Sequence, residues 1–168
     1  MTAAAWVLGN LRMTRSVIDR IDEEARAHYE RGEESCGLLT GPASDARLID
    51  AIAPLKNRAN ALHALDPATY PRTAREYFDA DPLKVARAIE AGAAAAQPVK
   101  VLYHSHLDVG AYFSETDAEA ATMGGDAPTH EVCYLVTSVR SGGVDDRKLF
   151  VWDGGKFVES PFTVVNDA

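Results

Sequence analysis

His104-Ser105-His106 closes an apolar run that begins at Val99, and in an extended strand side chains two residues apart leave the same face. Two imidazoles therefore point in one direction. Taken alone, such a pair is more often satisfied by hydrogen bonds to its neighbours than by a metal. Asp117 changes the balance: eleven residues on, in the first turn of an expected helix, it can fold back over the strand end and add an oxygen. Two imidazoles, one carboxylate and an open fourth position are the donor set of a catalytic zinc ion. Ser114 has a plainer reading as well, because Ser-x-x-Asp ahead of a helix is a capping arrangement. The irregular stretch from Asp108 to Phe113 makes the bend. Glu33 and Glu34 bring carboxylates from far away in the chain, just before a strand beginning at Cys36, and chemistry alone does not choose between them.

These groups need a scaffold. A strand is expected through Trp6 to Met13, then a helix capped by Thr14 that puts Val17, Ile18, Ile21, Ala25 and Tyr29 on one face and ends at Gly32. Cys36 to Leu39 and Leu48 to Leu55 read as two strands joined by a turn at Gly41-Pro42-Ala43-Ser44-Asp45, and Asn57 to Pro71 as a loop. Asp81-Pro82 starts a helix with Leu83, Val85, Ala86 and Ile89 as its apolar face. A buried strand, Val99 to His106, a short helix near Ser114, and strands Val132 to Val139 and Leu149 to Trp152 follow. Asp153-Gly154-Gly155 closes a hairpin between Phe150-Val151-Trp152 and Lys156-Phe157-Val158, with both glycines expected to supply positive φ. This order predicts an α/β fold: one domain over residues 1–168, with a mixed β-sheet flanked by helices.

Composition removes other functions. Of 168 residues 46% are apolar, but 28 are alanine, which leaves large apolar side chains enough for one core. A net charge of −8 without a basic cluster argues against nucleic acid and anionic membrane as partners. No apolar run reaches membrane-spanning length, the N-terminus reads as neither signal nor transit peptide, and two isolated cysteines make no framework. A reducing cytoplasm is the expected location. Nucleophile elbow, phosphate loop, dinucleotide glycines and His-Glu-x-x-His are all missing, and Cys36, in an apolar strand, reads as an inert packing group. His28, His63 and His130 have no partner at readable spacing.

Glu34-Ser35-Cys36-Gly37-Leu38-Leu39-Thr40-Gly41, followed by His104, His106, Ser114 and Asp117, resembles the Glu-x-Cys-Gly-Leu-Leu-x-Gly and His-x-His-x7-Ser-x2-Asp pattern of the JAMM/MPN+ zinc metallopeptidases. Five polar positions match, and the likeness covers nearly the whole chain, least well over Asn60 to Phe78. It implies a curved mixed sheet, with His104, His106 and Asp117 as zinc ligands, Glu34 rather than Glu33 as general base, and Ser114 steadying the oxyanion. The family cleaves bonds at the C-termini of ubiquitin-like proteins. The implied partner is therefore a small ubiquitin-fold protein with a Gly-Gly tail.

Two departures stand out. Many members carry proline directly after the second histidine and directly before the serine, where this chain has Leu107 and Phe113. Only Ala118 to Glu131 separate Asp117 from the next strand, whereas chain-cleaving deubiquitinating members carry a long insertion there. The compactness resembles bacterial members that release cysteine from a sulfur carrier. The alternatives are an isopeptidase for a bacterial ubiquitin-like modifier and a non-catalytic module that binds ubiquitin-fold tails.

Overall fold

The computed structural model describes residues 3–168; Met1 and Thr2, the start of the segment read as carrying no leader, lie outside the described residues. Strands β1 (Leu11–Thr14), β2 (Cys36–Thr40), β3 (Leu48–Ile49), β4 (Ala51–Leu55), β5 (Val99–Leu107), β6 (Cys133–Arg140), β7 (Gly143–Trp152), β8 (Phe157–Ser160) and β9 (Phe162–Val165) alternate with helices α1 (Arg15–Glu30), α2 (Ala59–Leu65), α3 (Pro82–Ala94) and α4 (Glu115–Thr122). Six strands form a mixed sheet in the order β4-β2-β5-β6-β7-β8, and β3-β1-β9 form a second, parallel one. Only β5 and β6 run parallel in the larger sheet, and α4 lies in the connection between them. No described helix is long and apolar enough to cross a membrane.

Strand alternation divides the core. Val101 and Tyr103 of β5 join Val17, Ile18 and Ile21 of α1 in one buried cluster, and Leu102 packs against the other, with Leu38, Val85, Tyr134 and Val136. The histidines share parity with Leu102 and so leave the sheet away from α1. Gly37 makes this possible from the α1 side: a Cβ there would meet the Tyr103 ring at 2.4–2.6 Å.

The structure corrects several expectations. The strand expected through Trp6 to Met13 begins only at Leu11, because Ala5–Leu8 forms a 3-10 turn. Leu48 to Leu55 breaks at Asp50, so that β3 pairs with β1 and β4 with β2. The loop expected from Asn57 contains α2, of which Ala59 alone is buried. Of the face expected on α3, Val85 and half-buried Ile89 do turn inward, joined by Ala88, whereas Leu83 and Ala86 are exposed. In the β7–β8 hairpin only Gly154 takes a positive φ, since Asp153 accepts from the amides of Gly155 and Lys156 and closes the loop itself. The Thr14, Asp81 and Ser114 caps form as expected.

Candidate metal centre

β5 is the third of six strands, paired to β2 at His104↔Cys36 and to β6 at His104↔Val136, so its end is held from both sides. His104 and His106 are 1% and 3% exposed, with Nε2 atoms 3.2 Å apart. Asp117 sits at the third helical position of α4, its Oδ2 3.1 Å from Nε2 of His104 and 3.3 Å from Nε2 of His106. The cap that starts the helix also aims this carboxylate: Ser114 Oγ accepts from the Asp117 amide and Asp117 Oδ2 from the Ser114 amide, each at 3.0 Å. The plain and the chemical readings of Ser-x-x-Asp therefore describe one arrangement. Burial works to raise the Asp117 carboxyl, and the bond from the Ser114 amide works to lower it.

At His106 the donor atom is fixed as a lone pair. His106 Nδ1 lies 2.9 Å from the Gly110 carbonyl, which can only accept, so this bond puts the ring proton on Nδ1. Nε2 is then a bare lone pair facing a carboxylate oxygen, an arrangement that a cation between them relieves. Tetrahedral zinc with bonds of about 2.0–2.1 Å needs ligand atoms roughly 3.3 Å apart. The three observed separations match that requirement, so the residues fit the ion.

Glu34 is 4% exposed and brings a carboxylate oxygen within 4.8 Å of both imidazoles. Its side-chain carboxylate accepts no hydrogen bond among the described residues. Burial, then the charges of Asp117 and Glu76, push its carboxyl well above the ordinary value. Its backbone is clamped: the amide donates to Ala74 O at 2.7 Å, the carbonyl accepts from Asn57 Nδ2 at 3.0 Å, and adjacent Ser35 is bonded to Ser105 through both amide and hydroxyl. Glu33 is instead engaged by Arg31 and His28.

Sequence reasoning missed Phe78 and Asn57. The Phe78 ring stacks on His104 with centroids 4.5 Å apart and planes 24° from parallel. Buried Asn57 holds that segment, donating also to Tyr77 O and accepting from the amides of Ala59 and Asp79. Neither contact has a local signal, because both partners lie far away along the chain. Tyr112 presents its edge to His106 at 5.0 Å. A cavity of about 510 Å³ opens beside His104 and Asp117, walled by Leu102, Phe113 and Tyr134, with Arg72 and His130 in its lining. His28 and His63 stay outside the centre, at Glu24 and Glu33 and at Tyr70 O respectively.

The profile of the family described as prokaryotic homologs of the JAB domain matches residues 14–152. Proteins named CysO-cysteine peptidase from Mycobacterium bovis and Mycobacterium tuberculosis are 32% identical over 143 residues, 84% of this chain and 83% of theirs. A solution structure of a protein from Desulfitobacterium hafniense superposes with a TM-score of 0.64 at 21% identity, covering 94% of both chains. A crystal structure of a JAB1/MPN domain protein from Archaeoglobus fulgidus gives 0.54 at 16% identity, covering 94% of this chain and 99% of that one. Both show the shared fold.

Proposed function

Because the chain belongs to the family of prokaryotic homologs of the JAB domain, we propose that it is a zinc peptidase, one domain over residues 1–168, that cuts after the C-terminal Gly-Gly tail of a small sulfur-carrier protein and releases cysteine. The observation that carries this reading is the buried triangle of His104, His106 and Asp117 donor atoms with an unbonded Glu34 carboxylate beside it. The relatives named as CysO-cysteine peptidases support the substrate class.

His104, His106 and Asp117 would hold the ion, which when bound polarises a scissile carbonyl and brings the acidity of a water into the neutral range. Glu34, free of other bonds, takes the proton of the attacking water and passes it to the leaving amine. Ser114 Oγ already accepts from the Asp117 amide, which leaves its own proton for the oxyanion that develops at the carbonyl. Phe78 and Tyr112 cover the two rings and keep bulk water from them. A short connection from the end of α4 at Thr122 to Cys133 provides no inserted arm for a second folded body, which favours a small leaving group.

The test is mass spectrometry of the zinc-loaded protein with a sulfur carrier ending in Gly-Gly-Cys and, in parallel, with lysine-linked ubiquitin chains. Loss of one cysteine mass with the chains intact is the expected result. Chain cleavage with the carrier untouched would replace the proposal with an isopeptidase, and turnover of neither despite bound zinc would favour a tail-binding module.

A further inference from the structure

Residues 108–114 must reverse the chain between β5 and α4 and at the same time deliver the Gly110 carbonyl to His106 Nδ1. Neither Leu107 nor Phe113 fixes φ as a proline would, so the turn needs another brace. Asp108 has the form of one. Its backbone is left-handed at φ +61°, a region that aspartate tolerates better than most residues, and Gly110 follows at +97°. Every polar group of Asp108 is engaged. The carboxylate accepts from Tyr29 Oη of α1 at 3.0–3.1 Å and from the Ser141 amide at 3.1 Å, and lies 3.5 Å from Arg75. The carbonyl accepts from Arg140 at 3.1 Å, and the amide donates to Val139 O at 2.8 Å.

Three parts of the chain thus meet at one carboxylate: α1 through Tyr29, the β6–β7 turn through Ser141, and the segment between α2 and α3 through Arg75. Exposed Val109 adds no anchor before Gly110, so the position of that carbonyl depends on Asp108 on one side and buried Ala111 on the other. Arg75 also follows Ala74, whose carbonyl holds the Glu34 amide. One brace therefore reaches both the imidazole side and the carboxylate side of the centre.

Resting on the zinc-peptidase reading, we propose that Asp108 is a positioning residue: it holds the turn so that the Gly110 carbonyl accepts the hydrogen bond from Nδ1–H of His106, which leaves Nε2 for the metal, and through Arg75 it steadies the Glu34 segment beside that ligand. Groups that orient a ligating histidine typically change metal affinity by about 10- to 100-fold when lost.

Asp108→Gly removes the carboxylate while permitting the left-handed backbone, and Asp108→Asn retains an acceptor and tolerance of that conformation. Zinc affinity is measured by chelator competition, and the His106 tautomer by imidazole ¹⁵N NMR of the metal-free proteins. Asp108→Gly is expected to weaken zinc by about 10- to 100-fold, to mix the tautomers and to lower kcat more than KM, with Asp108→Asn close to wild type. Wild-type affinity and a single Nδ1-protonated form in Asp108→Gly would overturn the proposal. Should that variant fail to fold, Tyr29→Phe takes its place: removing one hydrogen bond should weaken zinc by about two- to fivefold, and an unchanged affinity and tautomer count against the brace. If the wild-type protein takes up no zinc, the peptidase reading falls, while the tautomer comparison still decides the role of Asp108.

Discussion

Replacing Asn57 with alanine should cost the protein a large part of its stability and most of its activity together. The carboxamide is 8% exposed and makes four bonds to backbone: Nδ2 to the carbonyls of Glu34 and Tyr77, and Oδ1 from the amides of Ala59 and Asp79, all at 3.0 Å. At about 1 kcal/mol net for each bond the sum is about 4 kcal/mol, and entering water would reduce it to about 2 kcal/mol. With a urea m-value of about 2 kcal/mol/M, the midpoint should fall by roughly 1–2 M without a change in slope. Asn57→Asp should be no milder, because an oxygen would then face the two carbonyls now served by Nδ2. Both substitutions free the backbone of Glu34 and the segment that stacks Phe78 on His104, so kcat should fall even at temperatures where the variant is fully folded. A loss under about 1 kcal/mol, with normal turnover, would show that other contacts hold the segment and would refute the reasoning.

Glu34→Gln should keep fold and zinc content but lower kcat by about 10²- to 10⁴-fold, with Glu33→Gln nearly silent; steady-state kinetics beside metal analysis separates them, and the reverse result would move the base to Glu33. Burial pushes the thiols of Cys36 and Cys133 from 9.0 up to about 12, so neither should react with a thiol reagent at pH 8 until urea unfolds the chain. Between pH 9 and 12 the unfolded state binds fewer protons than the folded one, so stability is unaffected below that window and declines through it by up to about 1.4 kcal/mol per unit for each thiol. Burial raises the phenols of Tyr103 and Tyr134 over an overlapping range, so urea melts against pH are compared between the wild type and Cys36→Ala or Cys133→Ala; equal slopes would mean that the thiols are not shielded.

The short stretch from His104 to Asp117 was legible because its geometry is local: strand alternation aligns the imidazoles, and a helix cap turns the serine and aspartate toward each other. Glu34 was legible only through its motif, since nothing local distinguishes it from Glu33. Phe78, Asn57 and Asp108 acquired their roles from contacts with residues far away in the chain. The break at Asp50 was hidden for the same reason: an alternating apolar run looks alike whether one sheet takes all of it or two sheets share it.

The sequence by itself determined that His104 and His106 share one face of a strand end, that Ser114 and Asp117 open the next helix, and which residues cap the helices, because periodicity and hydrogen bonding between near neighbours act over a few residues. Only the tertiary structure decided how near Glu34 comes to the imidazoles, what covers the rings, and which distant residues bond the turn between His106 and Asp117. Those outcomes depend on packing between distant segments, where a side chain's partner is set by the path of the whole backbone.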